Sequence, residues 1–197
     1  MLIVGINGSP NKEGSTFTLV NQCLEEAQAL GAQVEMIQIS ECLANIENPF
    51  CTVCSSPCTG VCSEGSKLGE AFNLLRKADG VIVGSPVYFG TVSGQLKSFW
   101  DMTRFLRTEK ALINKVGGAV TSGAARFGGQ ETTIKAIHDM LLVQGFIVVG
   151  DGHEDNDAGH HGACAAAPAA QDTNALNRAK ILAKRIIQVA EATKSIR

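Results

Sequence analysis

The sequence predicts an α/β domain built on a parallel sheet, and three observations support that prediction. Short apolar runs alternate with amphipathic helical patterns along the 197 residues. Most of the runs are apolar at successive positions, as expected of strands covered on both faces. The composition, 45% apolar residues with a formal charge of −2, is that of a globular chain. We therefore predict a single domain over residues 1–197.

Each predicted strand is followed by a helical pattern. The predicted strands are residues 2–7, 34–39, 80–84, 116–121 and 145–149. Helical spacing marks inward-facing residues on the intervening segments: Leu24, Leu75, Leu96 with Leu106, Ile137 and Ile186. Two stretches, 40–65 and 150–172, show no clear element, and alanine-rich 163–170 is interpreted as loop. Right-handed crossovers then favour a flavodoxin-like doubly wound five-stranded sheet of order 2-1-3-4-5 with a cysteine-rich loop after strand 2.

The first strand ends in a loop rich in glycine and hydroxyl residues, Gly5 to Thr16. A strand, a glycine-rich turn and a helix together form a geometry that binds phosphate. The Walker A pattern is absent because no lysine follows Gly14, and Gly5 and Gly8 have the wrong spacing for a dinucleotide fingerprint. A terminal phosphomonoester such as that of FMN fits best. The alternative is an ordinary strand–turn–helix corner with a serine N-cap.

The loops after strands 3 and 4 should lie at the same sheet edge as this first loop. Residues 86–90 combine a proline, an aromatic pair and a glycine, which suits the edge and face of a flat heterocycle. Residues 122–129 are mostly small, so a ring could approach their backbone. Each loop alone could be a plain turn, but their coincidence at one edge favours a flavin.

Residues 8–16, 85–97 and 128–133 resemble the NADPH-dependent FMN reductase family over nearly the whole chain. The resemblance implies non-covalent FMN, with its phosphate on residues 9–16 and its isoalloxazine between 86–90 and 122–126. It also implies a homodimer or homotetramer and NAD(P)H as co-substrate. Ser15 departs from the asparagine common in relatives. The cofactor-binding residues are then Ser9, Pro10, Asn11, Ser15, Thr16, Pro86, Val87, Tyr88, Phe89, Gly90, Ser122 and Gly123, with Tyr88 also the candidate catalytic residue.

Four cysteines crowd into twelve residues of the segment after strand 2: Cys51, Cys54, Cys58 and Cys62. Four thiolates suffice for a [4Fe–4S] cluster, and the compact run suits a cluster better than widely spaced zinc knuckles. The run resembles the cysteine motif of the iron-sulfur flavoprotein branch, although its spacing departs from the expected CxxCxxC form. Zinc, a redox disulfide and no cofactor remain alternatives.

The late loop carries acidic residues and histidines, Asp151 to Asp157 with His160 and His161. A solvated, flexible loop is the favoured interpretation over a set of metal ligands. The resemblance places a His-Gly element near the active site, so either histidine could contact flavin or a neighbouring subunit.

The function predicted is that of an FMN-dependent oxidoreductase. Electrons would pass from NAD(P)H or a ferredoxin-like carrier through FMN to a quinone, flavin or oxygen-type acceptor. The alternatives are a non-enzymatic flavodoxin-like carrier, against which the weak charge argues, and a zinc-stapled binding module. The absence of a basic bias argues against nucleic acid or membrane as partners, and no signal peptide is seen, so a cytoplasmic protein is expected.

Overall fold

A computed structural model describes residues 1–197 and shows a sheet of six strands with helices packed against it. The strands are β1 Leu2–Asn7, β2 Gln33–Gln38, β3 Gly80–Pro86, β4 Val116–Gly123, β5 Ile147–Val148 and β6 Ala163–Ala166. The helices are α1 Ser15–Ala29, α2 Ile39–Leu43, α3 Lys67–Lys77, α4 Gly94–Met102, α5 Arg104–Thr108, α6 Gln130–Val143 and α7 Thr173–Ala192. Three 3-10 turns are Val61–Ser63, Ala169–Gln171 and Lys194–Ile196. None of the helices is long and apolar enough to cross a membrane.

The sheet is entirely parallel and has the predicted order, β2-β1-β3-β4-β5. The central strand β1 pairs with β2 on one side and β3 on the other, from Leu2 opposite Gln33 to Asn7 opposite Gln38. Because all strands run the same way, the loops that follow them meet at one edge, which we call the carboxyl edge. The predicted flavodoxin-like fold is therefore confirmed.

The last position in the sheet is shared by two short strands, which the sequence interpretation did not anticipate. β5 pairs with the start of β4, at Val116 and Gly117, and β6 pairs with its end, from Val120 to Gly123. The loop interpretation of residues 163–170 is thus wrong for β6. Ala163 and Ala165 are buried, so pairing with β4 and packing under α7 override the weak strand propensity of alanine.

Other departures are smaller. Helix α2 follows β2 directly, where an irregular segment was predicted, and a separate helix α5 carries Leu106. The break before α5 falls at Thr103, whose hydroxyl donates to the carbonyl of Trp100 at 2.6 Å. Strands β3 and β4 also run further than predicted, so Pro86, Ser122 and Gly123 end strands instead of opening loops. The side chains at the carboxyl edge consequently have the rigidity of the sheet.

Two apolar cores lie on the two faces of the sheet. One is formed by α3, α4 and α6 around Phe72 and Phe99, and the other by α1 and α7 around Leu19 and Leu182. Helix α1 packs very closely on the sheet at Gly84, where an added Cβ would lie 2.4 Å from the Val20 side chain. This close packing fixes where the first turn of α1 begins relative to β1 and β3.

Candidate functional site

The carboxyl edge joins the loops after β1, β3 and β4 through backbone and hydroxyl contacts. The amide of Gly8 donates to the carbonyl of Gly84 at 2.8 Å, and the Ser93 hydroxyl donates to the carbonyl of Gly8 at 2.6 Å. The amide of Val87 donates to the carbonyl of Ser122 at 2.9 Å. Ser93 is fully buried and also caps α4. The three predicted loops therefore form one continuous rim.

The structure places the predicted cofactor-binding residues around that rim. Ser9, Pro10 and Asn11 form the turn after β1, Ser15 and Thr16 begin α1, Pro86 to Gly90 end β3 and turn away from it, and Ser122 and Gly123 end β4. Contacts join the first and third groups directly, because the Thr16 and Ser122 hydroxyls lie 3.0 Å apart in a buried position. The positions are those expected of a common site, while their contacts with a flavin remain a prediction.

Helix α1 begins without a side-chain cap. Its N-cap residue is Gly14, in an extended conformation (φ −119°, ψ −172°), and no side chain accepts a hydrogen bond from the first turn. The backbone amides of residues 15–17 accordingly have no hydrogen-bond partner in the structure. The alternative of a serine-capped corner is therefore wrong. Unpaired amides and the positive end of the helix dipole together favour an anion at this point.

Two hydroxyl residues in the first turn of α1 hold neighbouring elements in place. The Ser15 hydroxyl oxygen accepts from the amide of Ala169 at 3.0 Å, which ties α1 to the turn after β6. The Ser15 O–H hydrogen has no acceptor in the structure and can still donate to an anion. Thr16 is buried and engaged with Ser122. Ser15 therefore keeps a hydrogen that it can donate, whereas the Thr16 hydroxyl is already paired with Ser122.

The loop after β3 makes a two-residue turn with an unusual backbone. The amides of Tyr88 and Thr91 each donate to the other residue's carbonyl, at 2.9 and 3.2 Å. The two residues between them, Phe89 and Gly90, have positive φ angles of 51° and 79°. Such turns normally take Asn-Gly, so a fully exposed phenylalanine in the left-handed region is a strained position that favours a functional role. The amides of Phe89 and Gly90 have no partner in the structure.

A cavity of about 820 Å³ lies beside the loop after β4. Its walls come from that loop, the end of β6 and the start of α7. They include Arg126, Cys164 and Phe127, whose ring is almost fully exposed. Burial raises the pKa of the Cys164 thiol to about 11, so this thiol is not activated. The cavity combines a cation, an aromatic ring and a floor of small residues.

Gln130 shapes one side of this cavity and was not among the predicted site residues. Its buried amide donates to the carbonyls of Ala125 at 2.6 Å and Ala165 at 3.3 Å, and its oxygen accepts from the amide of Gly128 at 2.9 Å. It therefore closes the glycine-rich loop and fastens it to β6. The Gly-Gly-Gln-Glu motif of residues 128–131 was the available signal, but a sequence pattern does not show which contacts a side chain makes.

The four clustered cysteines lie between α2 and α3 as free thiols, and no disulfide joins any of the seven cysteines. Burial raises the pKa of Cys62, and the neighbouring Cys58 and Cys54 thiols raise it further. The donor set has the number and type that a [4Fe–4S] cluster needs. No three metal-ligating side chains converge on one point, however, so the cluster does not fit the thiols as they stand.

Helices α4 and α5 fasten this cysteine segment to the core. The guanidinium of Arg104 donates to the carbonyl of Ser55 at 2.8 Å, and the hydroxyl of Ser98 donates to the carbonyl of Pro49. The Phe105 ring also packs against Gly60, where an added Cβ would lie 2.6 Å from it. The segment therefore has defined anchors on both sides of its first cysteines.

The late loop between β5 and β6 is mostly exposed, as the solvated interpretation predicts, but a buried ion pair at Asp151 pins its start. Asp151 is fully buried, and Arg178 of α7 reaches it at 2.5 Å and binds Asp157 through both terminal nitrogens. These carboxylates raise the pKa of Arg178 above its ordinary value. His160 is mostly exposed and its amide donates to Asp151, while His161 packs against His138 with ring centroids 6.2 Å apart. Neither histidine contacts the three rim loops through a hydrogen bond.

A doubly wound parallel sheet with an uncapped helix start and an aromatic turn at its carboxyl edge has the architecture of a flavodoxin-like domain. The comparisons with known proteins are more specific. The chain belongs to the NADPH-dependent FMN reductase family, whose model matches residues 1–154. The family assignment made from the sequence motifs is thus confirmed.

Individual relatives agree with this assignment. The chain is 39% identical over 200 residues to an iron-sulfur flavoprotein of Methanocaldococcus jannaschii, covering 98% of this chain and all of the relative. It is 35% identical over 138 residues to an NAD(P)H dehydrogenase (quinone) of Chromohalobacter salexigens, covering 70% of this chain and 65% of that protein. A crystal structure of a flavodoxin, WrbA-like protein from Agrobacterium tumefaciens shares the fold, with a TM-score of 0.65 at 20% identity, covering 98% and 97% of the two chains.

Proposed function

We propose that this protein is an FMN-dependent oxidoreductase that transfers electrons from NAD(P)H or a ferredoxin-like carrier to a quinone, flavin or oxygen-type acceptor. The observation that best supports the proposal is the uncapped start of α1 at the turn of residues 9–11. Its family membership and its relative named as a quinone dehydrogenase point to the same chemistry. When bound, FMN would supply the two-electron and one-electron chemistry, and the protein would supply binding and orientation.

The residues of the rim have distinct proposed roles. The amides of residues 15–17, with the Ser15 hydroxyl, hold the phosphate. The free amides of Phe89 and Gly90 face the edge of the isoalloxazine, and Tyr88, which is 42% exposed, lies where it can orient a ring. The small residues 122–126 let the ring approach the backbone. Co-substrate or acceptor would enter the cavity beside Arg126 and Phe127, where a phosphate and a flat ring both find a partner.

Two measurements test this proposal. Flavin-free protein should bind FMN more tightly than riboflavin, because only FMN carries the phosphate. The loaded protein should then oxidise NADH or NADPH in the steady state with a quinone acceptor. Absence of flavin binding, or equal affinity for the two flavins, would contradict the proposed site. Flavin binding without turnover of any nicotinamide would favour the electron-carrier alternative.

We further propose that Cys51, Cys54, Cys58 and Cys62 bind a [4Fe–4S] cluster. The proposal is supported by the four thiols in one anchored segment and by the name of the relative from Methanocaldococcus jannaschii. It requires that the thiols move together on binding, because no three converge in the structure. A cytoplasmic location is part of this proposal, since crowded free thiols persist in a reducing compartment.

Anaerobic reconstitution with iron and sulfide tests the cluster. We expect about four iron and four sulfide per chain, if one [4Fe–4S] cluster is bound. Serine at any of the four positions should reduce the iron and sulfide content, whereas Cys164→Ser, in the cavity beside the loop after β4, should not. Stoichiometric zinc without iron would contradict the cluster and favour a structural zinc site.

A homodimer or homotetramer completes the proposal. Phe89 and Phe127 are almost fully exposed on neighbouring parts of the rim, and burying such rings stabilises association. Sedimentation equilibrium should show a dimer or tetramer, and a monomer at micromolar concentration would contradict it.

A further inference from the structure

Asn7, the last residue of β1, makes a buried hydrogen-bond network beneath the turn of residues 9–11. Its side chain is fully buried. Its oxygen accepts from the amide of Ser9 at 3.2 Å, and its nitrogen donates to the carbonyl of Asn11 at 3.1 Å and to Oε1 of Gln38 at 2.8 Å. Two of the three bonds therefore hold the backbone of residues 9–11, the turn next to the proposed phosphate site.

The orientation of the Asn7 amide follows from its backbone partners. The amide of Ser9 can only donate and the carbonyl of Asn11 can only accept, so the Asn7 oxygen must face Ser9 and its nitrogen must face Asn11. With that orientation fixed, Gln38 must present its oxygen. The network consequently has a single consistent arrangement, which gives the turn one defined conformation.

We propose that Asn7 is a positioning residue for the FMN phosphate, an inference that depends on the proposed function. By binding the carbonyl of Asn11, Asn7 prevents this negative dipole from turning toward the anion. By binding the amide of Ser9, it fixes the start of the turn, and the Ser9 hydroxyl in turn accepts from the amide of Asn11 at 3.1 Å. The turn is thus held ready for the phosphate before the ligand arrives, which removes part of the ordering cost of binding.

Few other side chains can satisfy these three partners. The position needs one acceptor and two donors in a planar group, which a carboxamide provides. Aspartate has the same size but no donor when ionised, so it would leave the carbonyl of Asn11 facing a buried negative charge. Leucine has a similar size and no polar atom, so it would leave the partners in the turn without a bond.

The test compares FMN with riboflavin, because only FMN carries the phosphate. Dissociation constants for both flavins would be measured by fluorescence quenching on flavin-free wild type, Asn7→Leu, Asn7→Asp, Gln38→Leu and Asn73→Asp. Thermal unfolding of each variant would be followed by circular dichroism. Asn73 is exposed on α3, so Asn73→Asp is a matched control for the change in charge.

We expect both Asn7 variants to weaken FMN binding by about tenfold or more, on the order of one or two lost hydrogen bonds, and riboflavin binding by less than about threefold. Gln38→Leu removes one of the three bonds. It should weaken FMN binding less than the Asn7 variants do, and it should again affect FMN more than riboflavin. The control should leave both constants unchanged. If neither Asn7 variant folds, the effects of Gln38→Leu on FMN and riboflavin binding provide the same test.

The outcomes separate this inference from the proposed function. A wild type that binds both flavins equally would overturn the proposed phosphate site itself. A wild type that prefers FMN, with Asn7 variants that keep the full preference, would overturn the role of Asn7 alone. Equal weakening of both flavins by the Asn7 variants would show a general structural role and would likewise overturn it.

Discussion

Helices of two kinds begin along the carboxyl edge of the sheet. Helices α4 and α7 start at Ser93 and Asp172, whose side chains accept hydrogen bonds from the amides of the first turn. Helices α1 and α6 start at Gly14 and Gly129, and neither has a side-chain cap. The four helices follow strands of the same sheet, so the difference does not come from the topology but from the residue at the N-cap.

The difference indicates which amides the fold uses for its own stability and which it leaves for a ligand. A serine or aspartate cap typically stabilises a helix by about 1 kcal/mol relative to alanine. The chain lacks such a cap at α1, which begins next to the turn of residues 9–11, and at α6, whose start lines the cavity beside Arg126 together with the capped start of α7. We infer that the unpaired amides at the start of α1 are left for a ligand, while the caps at Ser93 and Asp172 stabilise helices α4 and α7.

The largest expected effect is a loss of stability on replacing Arg178, which holds the late loop against α7. Changing Arg178 to Met would leave the carboxylate of Asp151 buried without its partner, and breaking such a pair costs about 3–5 kcal/mol. The free energy of unfolding from urea titration checks this. Arg185→Met on the same helix is the matched control, because Arg185 bonds only Gln188. A loss below about 1 kcal/mol would show that the late loop does not depend on this pair.

A smaller effect is expected at the cap of α7. Asp172 accepts from the amide of Ala175 at 3.0 Å and from the amide of Ala166 at 3.1 Å, so it caps the helix and also holds the end of β6. Asp172→Ala should lower the free energy of unfolding by about 2 kcal/mol, because hydrogen bonds to a charged acceptor are the stronger ones. The loss should exceed that of Ser66→Ala, which removes the neutral cap of α3 and the bond from the Ser66 hydroxyl to the carbonyl of Ser63. Thermal and urea unfolding compare the two variants. Equal losses would mean that the charged acceptor at Asp172 stabilises the chain no more than the neutral hydroxyl at Ser66.

The smallest effect is a pH dependence at His138 of α6. Its Nε2 is buried without a hydrogen-bond partner. Burial, followed by the nearby His161 ring, lowers its pKa, and this outweighs the opposing effects of the His161 backbone and Asp139. The unfolded chain therefore binds the proton first. The contribution of neutral His138 is fully present above about pH 6.5, the unfolded value, and is lost as pH falls toward the lowered folded pKa.

Urea unfolding at pH 8, 6.5 and 5 measures this dependence. The wild type should lose more stability on acidification than His138→Leu, whereas His160→Leu, at a mostly exposed position, should behave like the wild type. Parallel pH profiles for wild type and His138→Leu would exclude His138 as the cause.

Much of the fold could be predicted from the sequence because its signals are local. The apolar run of β1 has the predicted bounds, and Ser93 caps α4 where a serine precedes a helical pattern. Strand β6 could not be predicted, because alanine has low strand propensity and only the pairing with β4 makes Ala163 to Ala166 extended.

The candidate site could be predicted only in outline. The glycine- and hydroxyl-rich loops could be located from the sequence, since parallel strands bring the loops that follow them to one edge of the sheet. The roles of Asn7 and Gln130 depend on contacts with residues of other elements, such as Gln38 and Ala165, and no local pattern shows those. Asp151 was taken as a surface residue for the same reason, because its partner Arg178 lies on a distant helix.

The most direct test of the difference between the two kinds of helix start is to give α1 a cap. Gly14 has an extended backbone, and an added Cβ would meet only the Asn11 side chain at 3.5 Å, so Gly14→Asp should fold. Gly14→Ala adds the Cβ without the cap. We predict that Gly14→Asp weakens FMN binding at least about tenfold relative to Gly14→Ala while the flavin-free protein is equally or more stable. Equal FMN affinities of the two variants would contradict the account, because the amides of α1 would then not hold the phosphate.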